Sequence, residues 1–152
     1  MRKEIYKMLC ERLGNIPEIK YIDLWNHNVE FIEQEDNWER PAVFVELCPI
    51  NWEATVAGMR YVTEAKVNLH VVTDWLGSSA ANSDQREESL TVFDLLEKIH
   101  TALADVDGEH FKEFDISNST TNHNHEDILE NIETYSYVGY RGCNLNCVKA
   151  CS

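Results

Sequence analysis

Ala65-Lys66-Val67-Asn68-Leu69-His70-Val71-Val72-Thr73 is the stretch on which the fold turns. Ala65, Val67, Leu69 and Val71 point one way, Lys66, Asn68 and His70 the other. That period of two marks a strand with one buried and one wetter face. A helical pattern follows from Gln85 to Asp105, with Leu90, Val92, Phe93, Leu96, Ile99 and Leu103 on one stripe at spacings of three and four. Asp84 with Glu87 three residues on fits a capping box at its start, and Gly108 suits its exit. The small, polar segment Gly77 to Ser83 is long enough to let the helix fold back across the sheet. Charge placed on that stripe, as in Leu96→Asp or Phe93→Asp, is expected to unfold or aggregate the protein.

Working outward, residues 2–13 carry Ile5, Met8, Leu9 and Leu13 at helical spacing, and Gly14 ends the run. Ile19 to Trp25 reads as a strand in which Ile19, Tyr21 and Asp23 oppose Lys20, Ile22 and Leu24, and acidic, irregular sequence follows from Asn26 to Glu39. Ala42 to Leu47 is the most apolar run and predicts a central strand, with Pro41 at its first position. Pro49 to Trp52 interrupts it, and Gly58 marks a bend or bulge within Thr55 to Val62. Phe111 to Ile116 and Ile132 to Tyr140 predict two further strands, separated by the polar run Asn118 to Asp127, a loop or exposed hairpin end. Short spacings between strands favour antiparallel pairing, and the helices need an apolar sheet face to cover. The expected fold is α+β: a mainly antiparallel β-sheet with two α-helices packed on one face. Residues 1–141 make one domain without internal repeats, and residues 142–152 a cysteine-containing tail.

The 152 residues suffice for a real core, and 43% hydrophobic content with 10% aromatics indicates a folded chain. A formal charge of −14 disfavours sequence-specific nucleic-acid binding, because an acidic surface repels phosphates. It remains compatible with a surface past which DNA moves without sticking, and with a merely solvated exterior. No signal-peptide core is present near Met1, and no apolar run approaches the roughly 20 residues that span a bilayer. The expected location is therefore a cytoplasm, without membrane partners.

Chemistry-bearing clusters are few. His123-Asn124-His125-Glu126-Asp127 has metal-ligand residue types but an incomplete set, and a hydrated loop tip explains it as well. Cys143, Cys147 and Cys151 stand four apart, which is neither zinc-knuckle nor C-x-x-C redox spacing. Spare thiols in a frayed tail are the plainer explanation, with a metal or disulfide role open. Cys10 and Cys48 sit singly on apolar patterns, as buried thiols do. His70 and His100 lack any motif tying them to a nucleophile, and no phosphate-binding glycine loop, G-x-S-x-G or H-E-x-x-H occurs. No cofactor and no enzymatic activity are expected. Trp38 and Trp52 lie in polar or irregular surroundings and Trp75 closes the long strand; all three are candidates for an oligomer interface, with core capping the alternative.

The order of elements, with the strand phrases Arg40-Pro41-Ala42-Val43-Phe44-Val45-Glu46 and Leu69-His70-Val71-Val72-Thr73, resembles the tail terminator (tail-completion, minor tail) proteins of long-tailed bacteriophages and prophages. The resemblance spans roughly residues 1–141 and leaves the cysteine tail outside. It implies a structural virion subunit that forms a homo-hexameric ring, caps the tail tube and contacts the head-tail connector. It also implies assembly in the host bacterial cytoplasm and residence in the virion tail. A non-viral α+β adaptor domain would show the same composition. A small metal-dependent enzyme would need His123, His125 and the terminal cysteines together.

Overall fold

The structure, a computed structural model, describes residues 1–26, 38–54, 58–74, 79–122 and 128–142. The His123–His125 pair, Trp75 and all three tail cysteines lie outside the described residues.

The strand on which the sequence turns is the middle of β4 (Arg60–Asp74), and it pairs antiparallel along its length with β6 (Ile128–Arg141). On one side β4 pairs antiparallel with β2 (Ala42–Leu47), which pairs with β1 (Tyr21–Leu24). On the other side of β6 lies β5 (Phe111–Asn122), giving the order β1-β2-β4-β6-β5; β3 (Glu53–Ala54) forms a short hairpin with the start of β4. Gly58, at φ +77, sits between the arms of that hairpin in a conformation that glycine adopts without a side-chain clash. The fold is thus α+β with a mainly antiparallel sheet, as the sequence predicts.

One pairing departs from the expectation: β1 runs parallel to β2. The reason is chain length, since residues 25–41 separate the two strands and a parallel return needs a dozen or more. Of the polar run Asn118 to Asp127, residues 118–122 take the hairpin-end alternative rather than the loop, because β5 continues paired with β6 through Asn122. Side chains of Ser119, Thr121 and Asn122 find partners on β6, which holds a polar sequence in a strand.

Helix α1 (Arg2–Gly14) buries Ile5, Leu9 and Leu13 completely against the sheet. The second helical segment is broken in two, a turn-length α2 (Arg86–Ser89) and α3 (Thr91–Ala102). Ser89 Oγ donates to Gln85 O and Thr91 Oγ1 to Glu88 O, so hydroxyls occupy carbonyls around the break. The expected capping box does not form: the cap is Gln85, whose amide donates to Ser83 Oγ. Val92, Leu95, Leu96, Ile99 and Leu103 are buried, whereas Phe93 is 55% exposed. Phe93→Asp is therefore not a core substitution. At 100° per residue, Val92, Leu95, Leu96, Ile99 and Leu103 share one arc and Phe93 falls about 100° away from it.

α1 and α3 cover the same sheet face, where Val43, Val45, Ala65, Val67, Leu69, Val71, Tyr135 and Tyr137 complete the main core. Phe114 stacks on Tyr135 at 5.0 Å and bridges β5 into it. The opposite face carries a smaller cluster, Ala42, Phe44, Val72 and Ile128, with Trp25 and Trp38 packed on it. No helix among the described residues is long and apolar enough to cross a membrane.

Candidate functional site

The face turned away from the helices holds a ladder of polar side chains across four strands. Glu46 on β2 stands opposite Asn68 on β4, Asn68 opposite Thr134 on β6, and Glu130 on β6 opposite Asn122 on β5. Directly opposed residues on one face come within hydrogen-bonding reach. Asn68 Nδ2 donates to Glu46 Oε2 at 2.8 Å, Thr134 Oγ1 donates to Asn68 Oδ1 at 2.7 Å, and Asn122 Nδ2 donates to Glu130 Oε1 at 2.6 Å. His70 is opposed by Phe44 and Ile132, so it reaches both glutamates diagonally. Its Nδ1 is 2.9 Å from Glu130 Oε2 and its Nε2 is 3.0 Å from Glu46 Oε2. The Trp25 indole lies flat over the imidazole, 3.8 Å between centroids and 2° from parallel.

Ionised carboxylates only accept, so both contacts are hydrogen bonds only when a hydrogen lies between each nitrogen and its oxygen. A neutral imidazole can donate to one of the two glutamates, and only a second hydrogen on the group makes both contacts hydrogen bonds. His70 and Glu130 are 5% and 1% exposed, while the Glu46 side chain is 37% exposed and forms the wet end. Burial of a carboxylate this deep is tolerable only with partners, and His70 and Asn122 supply them. Burial, and then the Glu46 charge, push the neighbouring Cys48 thiol up, which disfavours its thiolate. Among the described residues no group of three potential ligands could hold a metal ion. The ladder's hydrogen bonds link β2, β4, β6 and β5 side by side.

Among the described residues, the helix-covered face also buries polar side chains, Glu133 the most deeply. Glu133, 2% exposed, faces His100 Nε2 at 3.1 Å and accepts from the Ser119 hydroxyl, which ties α3 and β5 to β6. Next to it the Tyr135 hydroxyl is buried without a partner among the described residues, and burial pushes its ionisation far up. At the start of α1, Glu4 Oε2 is 2.8 Å from His110 Nδ1, closing the helix onto β5. An open cavity of about 520 Å³ lies beside that clip, lined by Met1, Arg2, Trp52, His110, Tyr140 and Arg141.

The two described interface candidates do not converge. Trp38 packs edge-on against Phe44 at 5.0 Å, with the Arg40 guanidinium 5.5 Å over its ring. Trp52 belongs to the main core's margin and to the cavity at the other end of β4. Phe44 is level with His70, and the cavity with Tyr61 and Tyr140, so nine residues of strand, roughly 30 Å, separate them. Sequence reasoning left Trp25 out of the interface candidates and gave His70 neither its two glutamates nor the stacked indole. Alternation placed His70 on the wetter face, and no local spacing connects it to partners 24 and 60 residues away.

A scan against protein-family models finds no match, and a search of curated proteins finds no significant one.

Proposed function

We propose that this chain is a tail terminator subunit of a long-tailed bacteriophage or prophage, a non-enzymatic structural protein that caps the tail tube as a homo-hexameric ring. The observation that carries the reading is the order of elements, helix, strand, strand, β3–β4 hairpin, helix, two strands, around one sheet with both helices on a single face. That is the order on which the resemblance rests. Its partners are copies of itself, the tail tube protein below and the head-tail connector above. The −14 charge suits a lumen that DNA traverses without adhering, with no sequence-specific nucleic-acid contact and no membrane. Location follows from the role: host cytoplasm during assembly, virion tail afterwards.

Tail assembly with and without the protein tests the reading. Tubes of uncontrolled length that fail to join heads are expected in its absence; normal tubes joined to heads would overturn it. Because each subunit is strongly acidic, self-association should strengthen with salt, which screens repulsion beyond about 8 Å at physiological strength.

A further inference from the structure

We propose that the sheet continues from one copy of this chain to the next, with β5 of one subunit pairing antiparallel with β1 of its neighbour. The inference rests on the ring reading and names the surface that would build it.

β1 and β5 are the two outer strands of the β1-β2-β4-β6-β5 path. An unpaired strand edge is a template for another chain, and proteins usually block it with charge, proline or bulges. Among the described residues, the β5 edge is blocked over its first half only. Val106 bridges Phe114 there, and both register shifts against β6 fall before Asn118. From Asn118 to Asn122 the pairing with β6 is unbroken. The run Ile116-Ser117-Asn118-Ser119-Thr120-Thr121-Asn122 contains no charge and no proline, in a chain that is 26% charged. Two acidic copies would approach with least repulsion along such a neutral edge.

The exposed apolar side chains point to the same two edges. Of the four large hydrophobic residues exposed among the described ones, Tyr21 and Leu24 are on β1 and Ile116 is on β5. Leu24 is opposed by Val45 and Ile116 by Tyr135, both in the main core, so Leu24 and Ile116 stand on the same, helix-covered side. Strand direction agrees as well. β1 is parallel to β2, and three successive antiparallel pairings leave β5 running opposite to β1. A head-to-tail junction therefore joins antiparallel edges, the geometry that needs no crossover. The contact uses two different patches per subunit, as a closed ring requires.

The test is disulfide trapping in the full chain, with Cys143→Ser, Cys147→Ser and Cys151→Ser as background. Leu24→Cys combined with Ile116→Cys, oxidised at high protein concentration and raised salt, is expected to give a ladder of linked subunits, and each single variant none. Linked dimers from Ile116→Cys alone would replace head-to-tail pairing by a two-fold β5–β5 contact and overturn the proposal. So would the absence of a ladder at concentrations where sedimentation shows association. Thr120→Lys, at an exposed position outside the core, should abolish the ladder while leaving the circular dichroism of the monomer unchanged. A ladder without any effect on tails would sink the terminator reading and spare this interface. Aberrant tails without a ladder would do the reverse.

Discussion

The two faces of this sheet are built from the same strands by opposite means. On the helix-covered face, alternate residues of β2, β4 and β6 meet α1 and α3 mainly through apolar contact, with Thr73, Asn131 and Glu133 as buried polar exceptions. On the other face, the polar intervening residues form the ladder from Glu46 through Asn68, His70 and Glu130 to Asn122, beside the small apolar cluster of Ala42, Phe44, Val72 and Ile128. Apolar burial is non-directional and tolerates a shifted neighbour, whereas each rung of the ladder requires one particular partner on the next strand. A one-residue slip would put every rung on the wrong side. The core therefore supplies most of the stability, and the ladder specifies which register that stability belongs to.

The comparison predicts unequal costs. The largest belongs to Leu96→Asp, which puts an unpaired charge on a 7% exposed core position between α3 and the sheet. A loss beyond about 4 kcal/mol is expected, read as insolubility or absence of a cooperative melt. A soluble variant melting normally would mean that α3 does not carry the core.

The ladder comes next. His70→Leu removes the partner at Glu130 Oε2 and should cost about 3–5 kcal/mol, because it leaves the carboxylate without its ring partner. Glu130→Leu alone removes the buried charge itself, and the double variant should cost less than the sum, with a coupling of about 0.5–3 kcal/mol in denaturant unfolding. Strict additivity would show that the two side chains do not act as one unit.

Much of the helix-covered face was legible in the sequence, because Ala65, Val67, Leu69 and Val71 repeat every two residues and Ile5, Leu9 and Leu13 every four. Both periods are local signals of burial. The ladder was not legible, because Glu46, His70 and Glu130 are joined only once three strands are aligned. Polar residues on alternate positions look the same whether water or a neighbouring strand receives them. The break at Leu90 was hidden for a related reason: hydroxyls of Ser89 and Thr91 divert carbonyls, which hydrophobic spacing does not record.

A smaller effect, read only at alkaline pH, concerns the core tyrosines. Burial pushes Tyr137 up to about 12, and Tyr135 rises further still. A phenol whose ionisation is raised in the folded state stabilises the fold fully below its unfolded value of about 10, and that contribution disappears as pH rises through about 12. Alkaline titration followed by tyrosinate absorbance should show these two ionising late, as the half-buried Tyr6, pushed up to about 12, also should, together with loss of circular dichroism. Ionisation of all six tyrosines near pH 10 with the fold intact would contradict their burial.

The smallest effect is expected at Phe93, although hydrophobicity alone would place it with Leu96. At 55% exposure on α3 it has little burial to lose. Asp at this position would stand in the first turn of α3, where the helix dipole favours an anion by about 0.3–1 kcal/mol. Glu97 lies four residues on, and like charges at that spacing cost about 0.2–0.5 kcal/mol. The two contributions nearly cancel, so Phe93→Asp should change stability by no more than about 0.5 kcal/mol, within roughly 2 °C in melting temperature. A large loss in dilute monomer would return Phe93 to the core and reject the packing of α3. A loss seen only at concentrations where copies associate would instead place Phe93 in an interface, and would mean that the helical layer takes part in assembly alongside the sheet edges.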